Sequence, residues 1–125
     1  RASEPWVLIL DNDGDICHKV RKSLKPEGYR VATALDHAEA LSLARNEAPD
    51  VLILDLDMDH KTGVEVLRHV RRERPDIPVI VVTDPPKSRL LAEALRYSPV
   101  IVLPKPVDEE VVRRTVRMII DGVRR

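Results

Sequence analysis

Residues 49–71 read PDVLILDLDMDHKTGVEVLRHVR. Val51–Leu54 is an unbroken apolar run rather than an alternating one, the pattern of a strand covered on both faces, as in a parallel sheet. An acidic residue, Asp55, ends it. Beyond a polar loop, Val64, Leu67 and Val70 recur at helical spacing, and Pro75 stops the helix they predict. The stretch therefore reads as a strand, a loop and a helix.

The same unit recurs outward from it. Val7–Leu10, Val79–Val82 and Val100–Leu103 are equally continuous apolar runs, and Arg30–Leu35 is a weaker one suited to a sheet edge. Ile16, Val20 and Leu24 mark a first helix, with Asp15 as its expected N-cap. Asp36 is placed to cap a second helix bearing Ala40, Leu41 and Ala44. Leu90, Leu91, Ala94 and Leu95 mark a fourth. The last is expected from Asp108 to Arg124, with acids at its start and arginines at its end, matching the helix dipole. Its apolar stripe is read as Val112, Val116, Ile119 and Val123, extended by Val111 and Met118. Five βα units in strict alternation predict an α/β three-layer sandwich with helices on both faces of a parallel sheet. The expected architecture is flavodoxin-like (βα)5, with strand order 2-1-3-4-5.

Composition narrows the function classes. Trp6, Tyr29 and Tyr97 are the only aromatic residues among 125, so the core must be aliphatic. Lys plus Arg and Asp plus Glu are 21 each, and this zero balance does not predict direct binding of nucleic acid or of an anionic membrane. The longest apolar runs fall far short of the roughly 20 residues that span a bilayer. The single cysteine, Cys17, cannot form an internal disulfide, which fits a reducing cytoplasmic setting. Residues 1–125 are expected to form one domain. Starting at Arg1 rather than at a methionine, they are read as open to being a piece of a longer protein. His18, His37, His60 and His69 look too scattered for a metal site and are read as surface residues.

In an open α/β sheet, ligands bind beyond the C-terminal strand ends at the topological switch point. There the sequence puts Asp11-Asn12-Asp13 after strand one, Asp55 after strand three, Thr83 after strand four and Lys105-Pro106 after strand five. Taken singly, each is an ordinary loop or cap residue. Together they set acids, an amide, a hydroxyl and an ammonium along one edge.

On these residues the chain resembles a response regulator receiver domain of two-component signalling. The segments that carry the resemblance are VLILDNDGDI (7–16), PDVLILDLDMDHKTGVEVLRHVR (49–71), IPVIVVTD (77–84) and VLPKPVD (102–108), with Thr83 and Lys105 separated by 105 − 83 = 22 positions. The resemblance implies that Asp55 accepts a phosphoryl group from a histidine kinase or phosphotransfer protein. It implies Mg²⁺ held by Asp11, Asn12, Asp55 and the backbone carbonyl of Asp57. Thr83 and Lys105 would contact the phosphoryl oxygens, and a cis peptide would precede Pro106. A partner surface is implied on the fourth helix, fifth strand and fifth helix; there Val111 and Met118, beyond what covering the sheet needs, are read as a place for a second copy.

Several positions depart from the family pattern. Asn12 replaces a usual carboxylate and should weaken metal binding. Asp59 stands where Pro is frequent, and Asp84 where a small residue follows the threonine. Val102 stands where an aromatic usually couples the site to the output face, and Ser98-Pro99 replaces Gly-Ala. These departures leave a second reading: a degenerate receiver that serves as a dimerisation or docking module and takes up little phosphate. A third reading comes from the Asp-x-Asp-Gly of strand one, which resembles the first motif of haloacid-dehalogenase-type phosphatases. Asp11 would then be the nucleophile and Asp13 the acid/base, but the final acidic motif is missing and Asp55 would have no role.

Overall fold

In a computed structural model of the chain, the structure describes residues 4–11, 14–57, 63–84, 88–97 and 99–123. The elements run β1 (Trp6–Leu10), α1 (Asp15–Leu24), a 3₁₀ turn (Lys25–Glu27), β2 (Arg30–Ala34), α2 (His37–Asn46), β3 (Val51–Asp55), α3 (Gly63–Glu73), β4 (Val79–Thr83), α4 (Ser88–Leu95), β5 (Val100–Pro104) and α5 (Glu109–Val123). All strand pairs are parallel and the sheet order is β2-β1-β3-β4-β5. Every residue of β1, β3 and β4 is buried, which is why their sequences carry no polar alternation. The flanking strands β2 and β5 are only partly covered.

Alternating side chains feed two cores. Leu8, Leu10, Leu52, Leu54, Val79 and Val81 pack beneath α2, α3 and α4 with Leu67 and Val70. Val7, Ile9, Val51, Ile53, Ile80 and Val82 pack beneath α1 and α5 with Val20, Leu24, Val112 and Val116. Each large aliphatic so buried contributes about 1.5–3 kcal/mol relative to exposure. The aliphatic expectation holds with one addition. Trp6 opens β1 one residue before the run read from sequence, is buried, and donates its indole N–H to the Ala48 carbonyl at 3.2 Å.

Some local expectations need correction. The N-cap of α1 is Gly14, at φ 82°, and Asp15 is the first helical residue. A left-handed backbone at this point suits glycine and not aspartate. Asp36 does cap α2, accepting from the Glu39 N–H at 2.8 Å, and Asp108 caps α5 by accepting from Glu110 N–H at 2.9 Å and Val111 N–H at 3.2 Å. The buried stripe of α5 is Val112, Val116 and Ile120, an i, i+4 row; Ile119 is only half-buried. Two of the four histidines, His37 and His69, do meet. Across the α2–α3 contact their Nε2 and Nδ1 atoms approach to 2.9 Å. No group of three or more His, Cys, Asp or Glu arranged to hold a metal exists among the described residues, and none of their helices is long and apolar enough to cross a membrane.

Candidate functional site at the carboxyl edge of the sheet

Strand register decides which side chains meet. Leu10 pairs with Leu54, so Asp11 and Asp55, the next residues on each strand, stand side by side at the C-terminal edge. Asp55 pairs with Val82, one residue before Thr83, and the Lys105 N–H donates to the Thr83 carbonyl at 3.0 Å. Asp11, Asp55, Thr83 and Lys105 are therefore brought to one edge by four strands, as the topology predicted. Asn12, Asp13 and Asp59 lie outside the described residues.

Asp11 and Asp55 are buried carboxylates, at 0% and 2% exposure. Asp11 Oδ2 accepts the Cys17 N–H at 3.0 Å, so the first turn of α1 fixes its orientation. Asp55 Oδ1 takes two donors, the Lys105 ammonium at 3.0 Å and the Asp57 N–H at 2.9 Å. Burial pulls the Lys105 ammonium toward neutrality. The hydrogen bond and charge of Asp55, with those of Asp57, outweigh it and hold its pKa above the ordinary lysine value. Lys105 is thus a fixed cation of the site. The peptide joining it to Pro106 is cis, as expected.

Asp57 does more than the sequence predicted. Its side chain accepts from the Thr83 hydroxyl at 3.1 Å and from the Asp84 main-chain N–H at 2.8 Å, and it lies 3.4 Å from the Lys105 ammonium. The Asp84 residue itself is exposed at the mouth, and Val102 is half-buried in β5 against the α2–α3–α4 core. Together with Lys105, Pro106 and Val107, residues Asp15, Ile16 and Lys19 of α1 line a shallow cleft beside Asp84.

Gly63, the first residue of α3, was not singled out in the sequence. A β-carbon there would lie 2.7 Å from the Asp55 carbonyl oxygen and 2.8 Å from Leu56 Cα, both main-chain atoms. The signal available was a lone glycine opening a helix eight positions after Asp55, that is 63 − 55.

The arrangement can neutralise and orient an anion: Lys105 and the Asp57 N–H contact the buried Asp55 carboxylate, while the Thr83 hydroxyl and the Asp84 N–H meet on the neighbouring Asp57 side chain. Comparison with known proteins identifies the family. The model of the response regulator receiver domain matches residues 7–117. Transcriptional regulatory protein PrrA of Mycobacterium tuberculosis is 38% identical over 82 residues, 66% of this chain and 35% of PrrA. The probable transcriptional regulatory protein TcrX of the same organism is 30% identical over 109 residues, 86% of this chain and 47% of TcrX. The chain thus spans between a third and a half of the length of these curated relatives. Among solved structures, Vibrio cholerae chemotaxis protein CheY4 superposes with TM-score 0.85 at 28% identity, covering 94% of this chain and 99% of its own. A CheY-like receiver domain protein from Methanospirillum hungatei superposes with TM-score 0.87 at 25% identity, covering 96% of both chains. With the family model matching residues 7–117 and the fold superposing on CheY4 and on a CheY-like receiver domain, this chain belongs to the response regulator receiver domains of two-component signal transduction.

Proposed function

We propose that Asp55 accepts a phosphoryl group from a histidine kinase or phosphotransfer protein and that the resulting change at Thr83 and Lys105 controls an output partner. The observation that carries this is the buried Asp55 carboxylate held by Lys105 at 3.0 Å on the open edge of the sheet. Among the described residues, the Lys105 ammonium and the Asp57 N–H both contact Oδ1, and the proposed attacking oxygen is Oδ2. Oδ2 bonds to phosphorus as the bond from phosphorus to the donor's imidazole nitrogen breaks. The products are an acyl phosphate on Asp55 and a free histidine. Lys105 offsets charge on the transferred group, and the Thr83 hydroxyl donates to one of its oxygens.

Two adjacent buried carboxylates, Asp11 and Asp55, make a hard oxygen set that fits Mg²⁺. Asp11, Asp55 and the Asp57 carbonyl, with Asn12, would hold the ion, and bound there it would offset the charge of these carboxylates and of the incoming group. Treating the protein with a small acyl-phosphate donor and Mg²⁺ should add one phosphoryl mass to the wild type and none to Asp55→Asn. Persistence of the added mass in Asp55→Asn refutes the assignment.

A second reading, the degenerate receiver that docks or dimerises with little phosphate uptake, draws support from Val102 in place of an aromatic and from the Asp57 contacts. It predicts no added mass in the wild type. For either reading, a second copy bound through α4, β5 and α5 is the proposed self-partner. The names of PrrA and TcrX support a transcriptional output, and the free Cys17 supports a cytoplasmic site of action.

A further inference from the structure

The seat for a phosphoryl group on Asp55 needs a cation, a hydroxyl and a main-chain donor, and in this chain those groups already hold an anion. Thr83 Oγ1 donates to Asp57 at 3.1 Å. The Asp84 N–H donates to Asp57 Oδ2 at 2.8 Å. The Lys105 ammonium lies 3.4 Å from the same oxygen while also pairing with Asp55 at 3.0 Å. The Asp57 side chain is only 7% exposed, so these contacts are screened little by solvent.

The donors come from β4 and β5, whose ends carry Thr83, Asp84 and Lys105, and they meet at a carboxylate two positions past Asp55. A carboxylate brings two acceptor oxygens and one charge. A phosphoryl group brings three oxygens and nearly twice the charge. Both present strong anionic acceptor oxygens that favour the same donors. The Asp57 N–H meanwhile donates to Asp55 Oδ1 at 2.9 Å, which ties the backbone of Asp57 to the side chain of Asp55.

We propose that the Asp57 carboxylate is a resident anion in the phosphoryl seat: it holds Thr83, Asp84 and Lys105 in a ligated arrangement before any phosphate arrives, and phosphorylation of Asp55 has to displace it. Two consequences follow from charge and geometry. Uptake of an anionic donor is slowed, because Lys105 already faces two carboxylates and its neutralising capacity is shared. The response to phosphate is also damped, because the Thr83 hydroxyl is already drawn toward the site by an acceptor. The second consequence and the displacement rest on the reading of Asp55 as acceptor. Occupation of the seat does not, since it is present without phosphate.

The test uses Asp57→Ala, which removes the anion, and Asp57→Asn, which keeps an acceptor oxygen without the charge. The first readout is hydrogen exchange and the chemical shift of the Asp84 amide in the unphosphorylated protein. Asp57→Ala should speed that exchange by about fivefold or more, since one hydrogen bond to a charged acceptor is lost, and Asp57→Asn should retain part of the protection. The second readout is the initial rate of phosphoryl uptake from a small acyl-phosphate donor with Mg²⁺. Both variants should take up phosphate roughly three- to tenfold faster than the wild type. Unchanged Asp84 exchange in Asp57→Ala overturns the occupied seat. Uptake that is equal or slower in both variants overturns displacement by phosphate. Failure of Asp55 as acceptor would appear separately, as phosphoryl mass retained in Asp55→Asn, and would leave the amide readout intact; where Asp57→Ala does not fold, Asp57→Asn carries both measurements, and its wild-type values in both overturn the proposal.

Discussion

The α-carbon of Gly63 sits so close to Asp55 that a β-carbon on it would fall 2.7 Å from the Asp55 carbonyl oxygen. The start of α3 is therefore in contact with the main chain that carries the candidate acceptor. The clash would be with backbone, not with the end of a flexible side chain, so relief requires α3 or the end of β3 to move.

Gly63→Ala is expected to destabilise the domain by about 1–3 kcal/mol, the range for overpacking a well-filled interior. It should also slow phosphoryl uptake at Asp55, because the strand end that shifts is the one bearing the carboxylate. Urea denaturation and the phosphoryl mass assay, run on the same variant, check both. Full stability with normal uptake would show that α3 retreats at no cost to the site.

Arg71 fastens the opposite, amino-terminal edge of the sheet. Its guanidinium donates to the carbonyls of Tyr97 at 2.8 Å, Pro99 at 2.7 Å and Pro75 at 3.2 Å, and also to that of Ile77. It joins the end of α3, the entry to β4 and the entry to β5. Burial lowers its pKa, and the charge of Asp76 partly opposes that. Hydrogen bonds to a charged donor contribute about 1.5–3 kcal/mol each, and water recovers part of that at these partly exposed carbonyls. Arg71→Ala should therefore lower stability by about 2–4 kcal/mol in a denaturant titration. Arg71→Lys should rescue less than half, because an ammonium lacks the planar fork that reaches several acceptors at once.

The fold was legible because each strand announces itself by type and length. β1, β3 and β4 are apolar on both faces, and the alternation with helices leaves few topologies. The edge position of β2 followed from its weaker pattern. The convergence of Asp11, Asp55, Thr83 and Lys105 was legible from the same topology. What Asp57 does was not. The chain turns after Asp55, and strand periodicity no longer tells where the next side chain points. The pairing of His37 with His69 was hidden for a related reason: 32 residues separate them, and only the packing of α2 on α3 joins them. Gly14 took the N-cap place given to Asp15 because a left-handed turn, not a side-chain acceptor, starts α1.

Lys105 should keep its proton well into the alkaline range. Its folded pKa is above the ordinary value of about 10.4, so the ion pair with Asp55 contributes fully below that pH. The contribution is lost as pH rises through the folded value. NMR titration of the lysine side chains should place Lys105 above the ordinary lysine midpoint in the wild type. In Asp55→Asn the midpoint should fall toward it, because the first partner is then neutral. A midpoint that Asp55→Asn leaves in place would assign the shift to Asp57 instead.

Apolar side chains left in water on α4 and α5 are a candidate seat for the proposed second copy. Met118 on α5 is 63% exposed and Leu95 on α4 is 47% exposed, on the two helices that flank the outer strand β5. The core requires neither: Val112, Val116 and Ile120 already cover the sheet from α5. In a symmetric dimer each side chain would be buried twice. Burying a methionine contributes about 1.5–3 kcal/mol, so two would change the dimerisation constant by roughly 100-fold or more. The wild type carrying a phosphoryl mimic is expected to sediment as a dimer at tens of micromolar, and Met118→Glu as a monomer with an unchanged denaturation midpoint, because the side chain lies outside the core. Adding Leu95→Glu should remove any residual association. A wild type that sediments as a monomer both with and without the mimic would rule out self-association through this face and leave it to a different protein.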